Sequence, residues 1–233
     1  MNMKRFERQI MLQEIGVEGQ AALANASVLI VGAGGLGSPS ALYLAAAGIG
    51  RIGIADGDCV AVSNLQRQVL FTEGEVGKNK AMCAAERLAL LSSETVITPY
   101  GFMLNGENMA DIASEYDIIV DGCDNADTRY LINEVSKRLG KPYVYGAIAG
   151  FEGQASLFNY CGGKGYDDLY PYRGNGNTPT ASPVGVIGAL PGIIGSIEAM
   201  EVIKVVTGAG ETLRNRLLTV NALTMEFNTF SLD

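Results

Sequence analysis

A doubly wound, Rossmann-like α/β sheet, parallel in its N-terminal half and extended by antiparallel strands, is the fold class that three features of the sequence predict. Apolar strand-like runs alternate with helical patterns as far as about residue 150. The first of these runs, Val28-Leu-Ile-Val31, breaks into Gly32-Ala-Gly-Gly-Leu-Gly37 and then into a helix of small residues. Beyond Gly150, strand patterns at 153–160 and 217–230 follow without crossover helices, which suits an antiparallel extension of the same sheet.

Ahead of the first strand, Phe6, Ile10, Leu12 and Ile15 alternate with Arg5, Arg8, Gln9 and Gln13 as one amphipathic helix, a lid or a dimer arm. Gly32, Gly34 and Gly37 then satisfy G-x-G-x-x-G. The first permits a tight turn, the second lets backbone approach a phosphate, and the third lets helix pack on strand. The helix from about Leu36 to Ala47 turns its N-terminal N–H groups toward the anion. The next strand, 52–55, ends at Asp56, about 20 residues beyond the turn, where a ribose-binding carboxylate belongs. NAD, FAD and ATP all fit that much.

Residues 57–68 form a long polar connection of the kind that carries function in α/β units. There follow a helix over 77–91, a strand over 95–100, a helix over 107–114, and a buried strand running from Tyr116 into Asp121-Gly-Cys-Asp-Asn125. A helix to Leu139 and a strand over 143–148 complete the parallel half. Gly32, Asp56 and Asp124 thus fall at carboxyl ends of strands, where such sheets bind ligands. The stretch 161–179, crowded with Gly, Asp, Asn, Tyr and Pro, reads as a mobile loop over the site, and 193–206 as a helix for core or interface packing.

Composition narrows the chemistry. With 233 residues, 48% of them hydrophobic, the chain can bury one large core. A net charge of −8 without a Lys/Arg cluster argues against a nucleic-acid partner. No apolar segment backs the charged N-terminus, and the most apolar stretch, 184–197, is too short and too interrupted for a membrane span, so a cytoplasmic protein with no membrane partner is expected. The absence of histidine removes Ser-His-Asp triads, Cys-His pairs, histidine bases and histidine-ligated metals. Cys59, Cys83, Cys123 and Cys161 form no C-x-x-C, and buried free thiols are the expectation for most of them.

Gly32-Ala-Gly-Gly-Leu-Gly37, Asp56-Gly-Asp58, Ser63-Asn-Leu-Gln-Arg-Gln68, Val76-Gly-Lys-Asn-Lys80 and Asp121-Gly-Cys-Asp-Asn125 resemble, in order and spacing, the ubiquitin-activating E1-like superfamily. The match is to its bacterial branch of sulfur-carrier adenylyltransferases, of ThiF, MoeB and HesA type. It covers nearly the whole chain and implies one ThiF/E1-like unit over 1–233. In that unit 1–150 is the nucleotide-binding half, and 151–233 is the carrier-binding half with a crossover loop at about 161–182. Such enzymes are homodimers that use Mg·ATP to adenylate the terminal glycine carboxylate of a ubiquitin-like carrier ending in Gly-Gly. By resemblance the backbone of Gly32, Gly34, Gly35 and Gly37 holds phosphate, Asp56 with Asp58 serves the ribose side, and Asn64, Arg67 and Lys80 hold the triphosphate. Asp124 binds Mg²⁺ beside Asn125, and Arg8 reaches the γ-phosphate of the neighbouring subunit.

Two departures from relatives shape the expectation. Relatives carry two C-x-x-C pairs around a structural zinc. Here the first region reads Tyr166-Asp-Asp-Leu-Tyr-Pro171 and the second pair is lacking, so no zinc is expected. Relatives also carry a cysteine shortly before the Gly-Val pair at Gly185-Val186, where this chain has Thr180-Ala-Ser182. The reaction is therefore expected to stop at the acyl-adenylate, with sulfur delivery by another protein such as a sulfurtransferase and Cys161 a bystander.

Competing readings are an NAD-dependent oxidoreductase, a carrier-binding scaffold without turnover, and an E1-like enzyme acting on a peptide or other carboxylate. The oxidoreductase lacks its usual proton donors, since the lone Tyr-x-x-x-Lys spacing, Tyr160 to Lys164, straddles Gly162 and Gly163.

Overall fold

The computed structural model describes residues 3–171 and 185–232. The spine is β1 (Ser27–Val31), flanked in parallel by β2 (Arg51–Ala55) on one side and β4 (Ile118–Asp121) on the other. β3 (Val96–Tyr100) continues beyond β2, and β5 (Tyr143–Ala149) beyond β4, again parallel. β6 (Glu152–Phe158), β7 (Arg216–Asn221) and β8 (Glu226–Ser231) then add antiparallel. The result is an eight-stranded sheet in the order β3-β2-β1-β4-β5-β6-β7-β8. From β1 the chain first builds outward through β2 and β3, then returns to build the other way through β4. Strand order reverses there, and this is where an open α/β sheet leaves its ligand crevice.

β1 is apolar from Val28 to Val31 because that stretch is buried on both faces. Val28 and Ile30 share a core with α3 (Gly37–Ala47), α4 (Lys80–Leu91) and α8 (Ala189–Thr207). Leu29 and Val31 face the opposite core, built with α5 (Met109–Ser114), α6 (Ala126–Leu139) and α7 (Tyr166–Leu169). Four differences from the sequence expectation have local causes. The N-terminal helix is two helices, α1 (Glu7–Ile10) and an unforeseen α2 (Gly16–Asn25). Gly16 stands at φ +58°, and Leu12 lies 53% exposed while Phe6 and Ile15 are buried, so the apolar residues never shared one face. α8 starts four residues early, because Pro191 falls in its first turn, where a missing N–H is harmless.

The expected loop at 161–179 is not loop throughout its described part. α7 lies in it, with Tyr166 buried against Tyr130, Tyr145, Phe158 and Tyr170 at ring separations of 5.0–6.1 Å. The remainder, with Thr180, Ala181 and Ser182, lies outside the described residues. The cysteine expectation also needs correction: Cys59 and Cys161 are exposed, Cys83 is buried, and Cys123 is half-buried.

One buried carboxyl joins α8 to the helix behind the glycine turn. Ser40 Oγ has one hydrogen yet stands 2.9 Å from Leu36 O, 3.0 Å from Gly195 O and 2.8 Å from Glu198 Oε2. A protonated Glu198 resolves the count, donating from Oε2 to Ser40 Oγ while the hydroxyl donates to a helix carbonyl. Complete burial pushes the Glu198 carboxyl well above the ordinary glutamate range, the Asp121 charge adds to the rise, and Arg129 opposes it.

The folded chain thus keeps a proton that the unfolded chain releases above about pH 4.5. Stability contributed at this site falls as pH rises from there toward the raised folded value. Relative to wild type, Glu198→Gln should gain stability with rising pH, by at most about 1.4 kcal/mol per pH unit, in chemical denaturation followed toward neutrality. A difference that does not change with pH would mean that Glu198 is ionised in the fold.

Candidate active site

The ends of β1, β2, β4 and β5 open onto one cleft. Gly32, Gly34, Gly35, Asp56, Asp58, Arg67, Lys80, Asp124 and Asn125 all line it. Its floor depends on the absence of side chains. Gly32 holds φ +100°, and a Cβ on it would stand 2.4 Å from Gly122 O; one on Gly37 would stand 1.9 Å from Gly32 O. Gly37 therefore sets helix-to-strand packing and does not itself line the cleft.

Asp56, 6% exposed, ties the turn to the next strand. Its Oδ2 accepts from Ala33 N at 2.9 Å and its Oδ1 from Asp58 N at 2.9 Å. Burial raises the Asp56 carboxyl above its usual range, while those two amides and the Lys80 charge act to lower it. The polar connection after β2 is pinned to α4 by Asn79. That side chain accepts from Met82 N as the helix cap and donates to Asp56 O at 3.1 Å. Lys80 follows it on the helix, its side chain only 8% exposed and paired with Asp58 at 3.0 Å. It is an ammonium held in the cleft wall, not a surface lysine. Arg67 donates to Ser63 O at 3.1 Å, and its Cδ lies 3.6 Å from the Cβ position of Gly35.

On the opposite wall, fully buried Asp121 anchors the acid-rich loop. Its Oδ2 accepts from Arg129 Nε at 3.0 Å and Tyr143 O–H at 2.7 Å, and its Oδ1 accepts from Cys123 N at 3.0 Å. Arg129 also donates to Cys123 O and Gly146 O and lies over the Tyr145 ring. Burial and the Asp121 charge hold the Cys123 thiol well above its ordinary value, so it stays protonated and is no nucleophile. Asn125 caps α6 by accepting from Thr128 N at 2.9 Å. Asp124 is thereby released from capping and stays exposed at the cleft, where Asn125 Nδ2 approaches its Oδ1 at 3.5 Å.

Besides Gly37, two expected site residues stand apart from this lining. Asn64 is half-buried, and its Oδ1 accepts from Ala61 N at 3.1 Å, closing the short turn that carries Arg67. Arg8 is exposed on α1, whose Gln9 donates to Ala47 O at the far end of α3. An 11-residue helix puts that end roughly 15 Å from the glycine turn. Sequence reasoning missed Gln68, Thr128 and Arg129, which also line the cleft. Gln68 stands inside the motif that was read, and Thr128 and Arg129 lie one turn into the helix that Asn125 caps. The segment 159–164 closes as a tight loop, with Asn159 N donating to Lys164 O at 2.9 Å, so Tyr160 and Lys164 share no helical face.

The ThiF family model matches residues 6–233. A sulfur carrier protein adenylyltransferase of Thermus thermophilus is 44% identical over 229 residues, covering 96% of this chain and 84% of that protein. A probable molybdopterin-synthase adenylyltransferase of Porphyra purpurea is 43% identical over 98% of this chain and 60% of its own length. The probable adenylyltransferase/sulfurtransferase MoeZ of Mycobacterium tuberculosis is 43% identical over 98% of this chain and 59% of its own. The chain thus spans about 60% of the length of these last two relatives. Among solved structures, E. coli MccB with MccA-N7isoASN superposes at a TM-score of 0.88 and 23% identity, over 100% of this chain and 72% of that one, which shows a common fold. A glycine turn at a strand-order reversal, the Ser63–Gln68 motif beside it, and relatives at this identity agree: the chain belongs to the ThiF family.

Proposed function

We propose that this chain adenylates the C-terminal glycine carboxylate of a ubiquitin-like sulfur-carrier protein, consuming ATP and releasing pyrophosphate, for sulfur incorporation in thiamine or molybdopterin biosynthesis. The observation that carries the proposal is the make-up of the cleft. A bare-backbone turn faces Arg67 and the buried Lys80 on one wall and an uncapped, exposed Asp124 on the other. The names of the 43–44% identical relatives support the same class of reaction.

In the proposed reaction a carrier carboxylate oxygen attacks the α-phosphorus, a new P–O bond forms, and the bond to the β-phosphate oxygen breaks with its electron pair leaving on pyrophosphate. The nucleophile is already an anion, so no base is required; positioning and charge neutralisation do the catalysis, which a chain without histidine can supply. Asp56 offers its remaining lone pairs to the ribose hydroxyls. The backbone of Gly32, Gly34 and Gly35 receives phosphate oxygens, Arg67 and Lys80 neutralise the triphosphate, and Asn64, which closes the turn carrying Arg67, helps orient it. Their attraction is strongest for the charge that spreads toward the leaving pyrophosphate.

Mg²⁺ fits this donor set. Among the described residues no three metal-ligating side chains gather, but Mg²⁺ binds through one or two carboxylates, waters and substrate phosphates, and Asp124 presents such a carboxylate. When bound, the ion would neutralise phosphate charge. Asp124 would hold it, with Asn125 orienting the carboxylate and Arg129 fixing the loop through Cys123 O.

Arg8 enters the proposal only in a homodimer, since its own cleft lies at the other end of α3. Cys161 has no part in it: its thiol is exposed in the 159–164 loop and is not among the residues lining the cleft, and sulfur delivery falls to a separate sulfurtransferase. Among the described residues no helix is long and apolar enough to cross a membrane, and we propose a cytoplasmic enzyme. The MccB structures with bound MccA suggest a peptide as the second substrate class. The higher identity to sulfur-carrier adenylyltransferases favours the carrier.

ATP–pyrophosphate exchange against a panel of Gly-Gly-ended carriers tests the function; a panel that yields no carrier-dependent exchange would overturn it. Asp124→Ala should lower exchange at least about a hundredfold, and undiminished exchange would remove Asp124 from the metal role. Mixing Arg8→Ala chains with Asp124→Ala chains should restore about a quarter of the wild-type rate, because half the dimers carry one intact composite site. No recovery from variants that do exchange subunits would show that Arg8 serves no neighbouring cleft.

A further inference from the structure

Gln68 closes the Ser63–Gln68 motif and has no part in the reaction as proposed above. It is 4% exposed, and it lines the cleft. Arg67 N and Gln68 N both donate to Asn64 O, at 3.0 and 2.9 Å, which winds the motif into a turn and delivers two adjacent side chains to the glycine cradle. They cover consecutive glycines. Arg67 Cδ lies 3.6 Å from the Cβ position of Gly35, and Gln68 Nε2 lies 3.5 Å from that of Gly34. Gly34 is the position at which a bare backbone lets a phosphate approach.

Gln68 Oε1 is nevertheless buried without a hydrogen-bond partner among the described residues. An unmatched buried amide oxygen is a standing penalty, and a methionine of similar volume would fill the same space without it. Among the described residues nothing holds that oxygen, so the carboxamide is free to turn about its terminal torsion. Facing an anion, it presents NH₂.

We propose that Gln68 is a nucleotide-contacting residue, its carboxamide donating to a phosphate oxygen of ATP bound over Gly34. The inference rests on the cleft being an ATP site. It assigns Gln68 a task that the nearby ammonium cannot share. Lys80 sits among acids, paired to Asp58 with Asp56 close by. A neutral donor binds phosphate without being drawn into those pairs, and its directionality fixes where the phosphate rests against the turn.

The test is equilibrium titration of the full chain with Mg·ATP and, separately, with adenosine, for wild type, Gln68→Met and Gln68→Glu, alongside thermal melting of each. Gln68→Met should melt at or above wild type and bind ATP roughly tenfold or more weakly, with adenosine affinity unchanged. Gln68→Glu, similar in size but with a carboxylate toward the phosphate, should weaken ATP further and again spare adenosine. Equal losses for ATP and adenosine would reveal a packing defect and overturn the proposal, as would a Gln68→Glu variant that keeps wild-type ATP affinity. Should Gln68→Met fold poorly, Gln68→Asn, which withdraws the amide by one methylene, carries the same comparison. No carrier enters the titration. A wild type that shows this pattern yet exchanges pyrophosphate with no carrier would sink the adenylation proposal and leave the Gln68 contact standing. A wild type that binds no ATP would overturn both.

Discussion

The close approach of two backbones where β1 and β4 end is the constraint on which the cleft depends. A Cβ added to Gly32 would meet Gly122 O at 2.4 Å, and one added to Gly122 would meet Gly32 O at 2.2 Å. Neither strand end can carry a side chain while the other stays in place. The contact fixes the distance between the glycine turn and the Asp121–Asn125 loop, hence the width of the crevice between them. Because the sheet reverses strand order at this seam, no neighbouring strand fills the space above it, and the bare backbone is left for a ligand.

Polar anchors then make that geometry rigid from both sides. Asp56 binds the amides of Ala33 and Asp58 together, so the turn after β1 and the connection after β2 move as one piece. Asp121 does the same across the seam, holding Cys123, Arg129 and Tyr143 through a carboxylate with no exposure to water. An ion pair so placed is a modest source of stability, because desolvation offsets most of its attraction. Its effect is on position: Arg129 reaches Cys123 O and Gly146 O at once, so the loop bearing Asp124 is fastened to β5. Pre-set donors and acceptors of this kind suit a reaction that asks for alignment and charge compensation more than for proton transfer.

The centre of the parallel half was legible because β1, β2 and β4 are buried on both faces and read as apolar runs, ended by Gly32, Asp56 and Asp121. The N-terminal arm was not, because spacing alone did not reveal that Leu12 faces solvent while Phe6 packs under Gly48. The cleft residues read from motifs gathered as a set, apart from Gly37, which packs helix on strand, Asn64, whose side chain closes a turn, and Arg8, which stands at the distant end of α3. Arg129 escaped notice because an arginine inside an amphipathic helix is usually solvated surface. Only the structure shows it drawn inward by Asp121 and laid on Tyr145. Gln68 escaped for another reason, since a glutamine carries no charge to announce a phosphate.

Glu198 Oε1 and Gln68 Oε1 are both buried oxygens without a partner among the described residues, and they have different explanations. A carboxyl can change its protonation state. Glu198, sealed between α3 and β5 behind the turn, keeps a proton because burial raises its affinity for it, so its unpartnered Oε1 carries no charge there. A carboxamide has no such recourse. Its oxygen stays an acceptor and its nitrogen a donor at every pH, so an unmatched group is matched only by turning or by a ligand. Glu198 is closed off beneath the cradle, where only the fold can use it, whereas Gln68 opens on the cleft above Gly34. The orphaned oxygen therefore belongs to a structural lock in one case and, in the other, to a carboxamide that the described residues leave unheld and whose NH₂ can donate to a ligand. What separates them is the side of the glycine turn on which each stands.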